Sequence, residues 1–176
     1  LLTASLDRSA RLWDVATGES RVYMGIDGGL YAARLSPRED LLATASDSGV
    51  LRLWDVASGQ SRAFTGHTKR VRDLAFSPDG RSLATAGGDD VVRLWDVESG
   101  ESRALHGHHE EVLRVLFVQG GTGVVSSSSD GTVRLWKDDL PHGAAALRAR
   151  RPHDREDAAT TPPSPPATVP TTARRP

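Results

Sequence analysis

The chain has 176 residues, with 22 Lys+Arg against 23 Asp+Glu for a formal charge of -1, and no cysteine. That balance supplies no global basic field for a nucleic-acid backbone and no acidic excess of the solvating kind. The missing cysteine excludes disulfides, thiolate nucleophiles and Cys-based zinc sites, with a reducing cytoplasm the simpler expectation. No apolar run approaches the roughly 20 residues of a membrane span, and no signal-peptide pattern is present at Leu1.

Taken in chain order, residues 1–7 read as the second strand of a four-stranded unit whose first strand is missing. The string RLWDVATGE follows from Arg11 and returns as RLWDVASGQ from Arg52, RLWDVESGE from Arg93 and RLWKD from Arg134. Trp13, Trp54, Trp95 and Trp136 therefore recur at a constant interval, a period of about 41 residues. Other anchors keep the phase. Leu35, Phe76 and Phe117 share one offset to the Trp that follows each, and the histidines of Gly66-His67 and Gly107-His108 share another. The third unit predicts four short strands at 71–76, 82–86, 91–96 and 102–105, separated by Ser77-Pro78-Asp79-Gly80, Gly87-Gly88-Asp89-Asp90 and Ser99-Gly100. In the fourth unit strand alternation puts Val133 and Leu135 on one face and Arg134 and Trp136 on the other. A four-stranded unit of this kind cannot bury both faces alone, so copies must stack on one another. The units run approximately 1–24, 25–65, 66–106 and 107–140.

The GH…WD spacing and the string SPDGRSLATAGGDD before VRLWD resemble WD40 repeats, from Leu1 to the neighbourhood of Lys137. The resemblance implies an all-β propeller, here an incomplete arc of about four antiparallel blades. It also implies a buried network in each blade. An indole N–H meets a second-strand Ser or Thr, that hydroxyl meets the His of the GH pair, and an Asp in the following turn orients the His. On this pattern the fourth unit has Trp136, Ser128, His108 and Asp130. The third has Trp95, His67 and Asp89, with Gly87 where the hydroxyl belongs. The second keeps Trp54 and Ser46, with Ile26 in place of His, Ser48 in place of Asp and Asp47 as a partial substitute. The first keeps Trp13, Ser5 and Asp7.

Ser, His and Asp in one place also invite a hydrolase reading. Ser128 sits among four consecutive serines with no G-x-S-x-G elbow and no helix to follow, and the structural network explains the Trp as well. A metal at His106, His108 and His109 is the weaker reading too, since His108 already belongs to the network. Gly87-Gly88 and Gly120-Gly121 lack the following helix and lysine of a phosphate loop. The Arg before each Leu-Trp (Arg11, Arg52, Arg93, Arg134) is expected to lay its stem along a blade face and reach polar groups at the edge. No cofactor, metal, small-molecule substrate, nucleic acid or membrane is expected.

The resemblance implies partner binding on the face bearing the GH loops and the turns after the second strands. The positions are Asp27, Gly29 and Asp47, then Thr68, Arg70 and Gly88, then His109, Glu111 and Ser129. They include no Trp or Tyr, and Arg70 is the one interface anchor type among them. The expected function is a non-catalytic protein-protein interaction scaffold in the cytoplasm, the repeat region of a larger signalling or regulatory protein. Similar bacterial-type repeats follow signalling NTPase or kinase domains, so a regulatory or sensor segment is one alternative. A degenerate fragment without an independent role is another. Two apolar blade faces at the ends of an open arc predict further repeats or self-association through open blade edges. From 141 to 176 the composition shifts to Pro, Thr, Ala and Arg, with eight of the ten prolines, and predicts a disordered tail. Residues 144–148 are at best a weak last strand.

Overall fold

The computed structural model describes residues 1–24 and 28–137. The expectations placed on Ile26, Asp27, residues 144–148 and the 141–176 tail lie outside the described residues. What is described is built from four antiparallel sheets in chain order. The first holds β1 (Leu2–Ala4), β2 (Ala10–Trp13) and β3 (Ser20–Tyr23). The second holds β4 (Leu30–Leu35), β5 (Leu41–Ser46), β6 (Leu51–Asp55) and β7 (Ser61–Phe64). The third holds β8 (Val71–Phe76), β9 (Ser82–Gly87), β10 (Val92–Asp96) and β11 (Ser102–Leu105). The fourth holds β12 (Val112–Val118), β13 (Gly123–Ser128) and β14 (Val133–Trp136). Each sheet is a meander whose strands pair with their neighbours in sequence. Among the described residues no helix is long and apolar enough to cross a membrane.

In the third unit the expected strands are displaced by one position around the β9–β10 turn. Gly87 N–H donates to the Val91 carbonyl at 3.0 Å, which closes the turn with Val91 outside the following strand. In the first unit the strand expected at 1–7 occupies only Leu2–Ala4, because Ser5 N–H already bonds the Ser9 carbonyl and the chain turns.

Sheets bury their faces against one another because strand side chains alternate between two apolar sides. Three seams result. Ala10 and Tyr23 meet Leu30, Leu42 and Trp54 between the first and second sheets. Ala43, Ala45, Leu51, Leu53 and Phe64 meet Leu74, Leu83 and Trp95 between the second and third. Ala84, Ala86, Val92, Leu94 and Leu105 meet Val112, Val115 and Val124, with Trp136 packed on them, between the third and fourth. In the second and third seams small alanines on one sheet leave room for the indole of the next. The last residue of an outer strand covers the following Trp: Tyr23 meets Trp54 edge-on at 5.6 Å, and Phe64 meets Trp95 at 5.7 Å. Each fully buried Leu or Val in a seam contributes about 1.5–3 kcal/mol.

The outer strands add a polar fastening. Arg21 donates to the Val56 and Ala57 carbonyls of the next sheet, and Arg62 donates to the Glu98 carbonyl at 2.6 Å. Each guanidinium also lies over its own strand's aromatic ring, Tyr23 or Phe64. The arginines before Leu-Trp work inside their sheets: Arg52 donates to Ser61 Oγ at 3.3 Å and Arg93 to Ser102 Oγ at 3.2 Å.

The innermost strands β4, β8 and β12 pack side by side. Each carries a register irregularity at the same repeat position, between Leu30 and Ala32, Val71 and Asp73, and Val112 and Arg114. A bulge re-aims the extra side chain, here Tyr31, Arg72 and Leu113.

Candidate functional site

Two polar constellations stand out, one inside the blades and one where the inner strands meet the loops. The first is a proton-ordered chain. In the third sheet Trp95 Nε1–H donates to Thr85 Oγ1 at 2.8 Å, and Thr85 Oγ1 lies 2.7 Å from His67 Nε2. His67 Nδ1 lies 2.9 and 3.0 Å from the two oxygens of Asp89, which also accepts the Thr68 N–H at 2.9 Å. With the proton on Nδ1 every donor has one acceptor: indole to hydroxyl, hydroxyl to Nε2, Nδ1–H to carboxylate. In the fourth sheet Trp136 donates to Ser126 Oγ at 2.9 Å, which lies 2.8 Å from His108 Nε2. His108 Nδ1 lies 2.9 Å from Asp130 Oδ2, and Asp130 accepts the His109 N–H at 3.0 Å.

The hydroxyl assignment made from sequence is corrected by this geometry. Ser5, Ser46 and Ser128 do not meet the indoles, and Gly87 is not a missing hydroxyl. The acceptors are Thr3, Thr44, Thr85 and Ser126, each at the same offset before its Trp, with Trp13 and Trp54 donating at 2.9 and 3.2 Å. Strand register gives the reason. Trp95 pairs with Leu83, so Thr85 is one row along the same face, about 7 Å away, whereas position 87 is two rows, about 13 Å, away. An indole reaches the first and not the second. Counting back from the tight turn after β9 would have found it.

The displaced serines serve turns instead. Ser128 Oγ donates to the Glu110 carbonyl at 2.9 Å, and Ser46 Oγ bonds Ser48 Oγ and the Val50 carbonyl, each at 2.8 Å. Ser5 Oγ accepts the Asp7 N–H at 3.2 Å, and the Asp7 carboxylate accepts from Ser9 Oγ at 2.7 Å. Asp47 is exposed and does not stand in for the carboxylate missing at position 48.

Gly87 has a positive role: a Cβ there would overlap Asp89 Oδ1 and His67 Nδ1. Ser128 is tolerated at the same place in the fourth sheet because Thr132 Oγ1 draws Asp130 Oδ1 aside at 2.6 Å. The third sheet has Val91 there, whose side chain cannot donate and whose backbone N–H alone reaches Asp89, and both Asp89 oxygens lean on His67. Electrostatics follow. Burial opposes ionisation of Asp89, but the bonds from His67 and the Thr68 N–H outweigh it and hold the carboxyl at about 2. The Asp130 carboxyl is held well below the usual range, chiefly by Thr132, against burial and with help from His109 N–H and His108.

A hydrolase needs a reachable nucleophile on the histidine. The hydroxyls that face His67 and His108 belong to Thr85 and Ser126, which are 0% and 1% exposed, and each also accepts an indole N–H. These chains fasten the blades. Among the described residues no three His, Cys, Asp or Glu side chains are placed to hold a metal ion.

A family model described as WD domain, G-beta repeat matches residues 19–55, 58–96 and 100–137, which is more than half of the chain. The chain belongs to the WD40 family. Each matched WD40 segment starts at or just before the outer strand of one sheet and ends at the Trp strand of the next, so the repeat unit in sequence straddles two sheets in space. No curated protein matches the chain. The sheets form part of a WD40 propeller, and WD40 repeats are generally protein-interaction scaffolds and typically non-catalytic.

The second constellation lies among the positions that the WD40 resemblance assigns to partner binding. Arg70 Nε lies 3.0 Å from Glu111 Oε1, and Gly88 packs against both, since a Cβ on it would meet Glu111 Oε1 at 2.7 Å. Ser129 N–H donates to the Glu111 carbonyl at 3.0 Å. Thr68, His109 and Ser129 are exposed. Gly29 packs on Leu6 of the first sheet. The structure thus brings Arg70, Gly88, Glu111 and Ser129 together, with Asp47 exposed in the preceding unit.

Sequence reasoning missed the residues that complete this rim. Arg72 grips Glu111 with two bonds, Nε to Oε1 at 2.8 Å and a terminal nitrogen to Oε2 at 2.9 Å, and lies 5.0 Å from the Tyr31 ring centre. The Arg72 guanidinium holds the Glu111 carboxyl below its ordinary value, against some burial. Asp73, 4% exposed, accepts from Arg34 at 3.2 Å and from the buried Val115 N–H at 3.3 Å, with Arg114 3.9 Å away. Val115 lies on an inner strand edge, where N–H groups have no further strand to pair with; Asp73 reaches across from β8 and caps one. Two adjacent charges inside the strand string Val71-Arg72-Asp73-Leu74 were the available clue, because regular alternation cannot place both in solvent.

Proposed function

We propose that this chain is a non-catalytic interaction module, the repeat region of a larger signalling or regulatory protein working in the cytoplasm. The observation that carries the reading is the division of polar groups. Every titratable side chain of the two complete clamps is consumed by blade fastening, whereas the charged groups of the inner rim remain partly open to solvent, with the Arg70 side chain 44% and Glu111 20% exposed. Intact clamps in the third and fourth sheets support a folded scaffold over a degenerate remnant. The binding face is the rim around Arg70 and Glu111.

Chemical crosslinking followed by quantitative recovery of bound proteins tests this, with Arg70→Glu, Glu111→Arg and the double swap. The double swap reverses the polarity of the Arg70–Glu111 pair but gives up the two Arg72 bonds to Glu111, so the expected result is an altered set of partners from a chain that stays folded with a somewhat lower melting temperature. Three variants that recover the same partners as the parent in the same amounts would put the binding face elsewhere.

A further inference from the structure

The inner wall made by β4, β8 and β12 is where the repeats part company in chemistry. Scaffold positions hold the same residue type in each repeat, as at Leu42, Leu83 and Val124 or at Trp54, Trp95 and Trp136. On the inner wall the equivalent positions change character: Tyr31, Arg72 and Leu113; Ala32, Asp73 and Arg114; Arg34, Ala75 and Leu116. The blade fold does not require these charges, because neighbouring blades reach the same fold with apolar or uncharged residues there. Together they make a surface of one dominant sign. Arg34, Arg70, Arg72 and Arg114 surround two carboxylates, Asp73 and Glu111, and each carboxylate lies within 4 Å of two of the guanidiniums. The carboxylates are recessed, with side chains 5% and 20% exposed, while the Arg34 and Arg114 side chains are 50% and 71% exposed. The guanidinium donors left over face solvent in a forked geometry that suits carboxylate oxygens.

We propose that this inner wall binds an acidic peptide segment, whose Asp or Glu side chains pair with Arg34 and Arg114 while the Arg70–Arg72–Glu111 cluster borders it. The assignment rests on the interaction-module reading and names the chemistry of its partner. A discrete carboxylate fits better than a continuous polyanion such as a nucleic acid. Asp47 and Glu110 are exposed on the loops beside the wall; a nucleic-acid backbone long enough to cross the wall has to pass them, whereas a short acidic peptide can set its carboxylates on Arg34 and Arg114 alone.

The test is fluorescence anisotropy on the whole chain with three probes: a labelled oligoglutamate peptide, an oligolysine peptide of equal length and a single-stranded DNA oligonucleotide. The expected result is oligoglutamate binding at least about tenfold tighter than oligolysine at low salt, weakening as salt rises. Arg114→Gln should weaken oligoglutamate binding about threefold, and Arg34→Gln with Arg114→Gln about tenfold. Arg114 is the most exposed of the four arginines, so its single variant keeps the test valid if the double variant melts early. Equal binding of the two peptides, DNA binding as tight as oligoglutamate, or parental affinity in folded Arg114→Gln would each overturn the proposal. If the crosslinked partners persist unchanged in Arg34→Gln/Arg114→Gln but change in the Arg70/Glu111 swap, the acidic-peptide assignment fails and the interaction reading stands. If neither set of variants changes them, both fail.

Discussion

Thr85→Val removes one hydroxyl and almost no volume, yet it cuts the third-sheet clamp at its middle. Among the described residues Thr85 Oγ1 is the hydrogen-bond partner of both Trp95 Nε1 and His67 Nε2, at 2.8 and 2.7 Å. Trp95 is 1% exposed and the His67 side chain 0%, so water cannot replace either bond. An orphaned buried polar group costs about 1–3 kcal/mol; two of them put the loss at about 2–6 kcal/mol. Thr85→Ser is the matched control. It keeps the hydroxyl and deletes one buried methyl, for about 1 kcal/mol. Urea unfolding followed by tryptophan fluorescence reads both variants against the parent. The reasoning is refuted if Thr85→Val unfolds at the same urea concentration as Thr85→Ser, since the hydroxyl would then carry none of the clamp.

Gly87→Ser supplies the hydroxyl that the sequence pattern misses and should nonetheless destabilise, by about 2–4 kcal/mol, because its Cβ displaces the His67–Asp89 pair; adding Val91→Thr, which copies the fourth sheet, should recover part of the loss, and a stabilised Gly87→Ser in the same urea assay would contradict the packing. Asp73→Ala strands the buried Val115 N–H and should cost about 1–3 kcal/mol, with Asp73→Asn retaining most of the stability through its amide oxygen; equal melting temperatures for the two variants would show that the capped N–H contributes nothing. The Asp89 carboxyl is lowered from 3.8 to about 2, so the folded state holds that proton less tightly than the unfolded chain. Its contribution is complete above 3.8 and drains away as the pH falls toward the folded-state value. Allowing for solvent screening it amounts to about 1–2 kcal/mol. Asp89→Asn should flatten that part of the stability–pH curve, and a parental slope in the variant would remove Asp89 as its source.

The residues of the clamp show how far one-dimensional reading goes. Trp95, His67 and Asp89 were legible because their spacing repeats from unit to unit, and spacing is a property of the chain. The hydroxyl was misplaced by two positions because its identity depends on strand register, which the turn after β9 sets and which a pattern of letters leaves open. Gly87 read as a deficit for the same reason: a missing side chain acquires meaning only when neighbouring atoms occupy the space it leaves. The inner rim was half legible. Arg70 and Glu111 fell on loop positions that the repeat pattern marks, but Arg34, Arg72, Asp73 and Arg114 lie within strands, where the pattern predicts burial or packing.

The sequence by itself determined the architecture. A constant period with short apolar strands, turn residues between them and one indole per unit can be satisfied only by sheets that stack on copies of themselves, since no sheet buries both faces alone. Tertiary structure decided which polar atoms meet. Asp73 on β8 caps an N–H on β12 while pairing with Arg34 on β4, so one carboxylate joins three strands that belong to three successive repeats. A contact of that kind arises from bulges and from the close approach of neighbouring sheets, and no local preference of any of those residues encodes it.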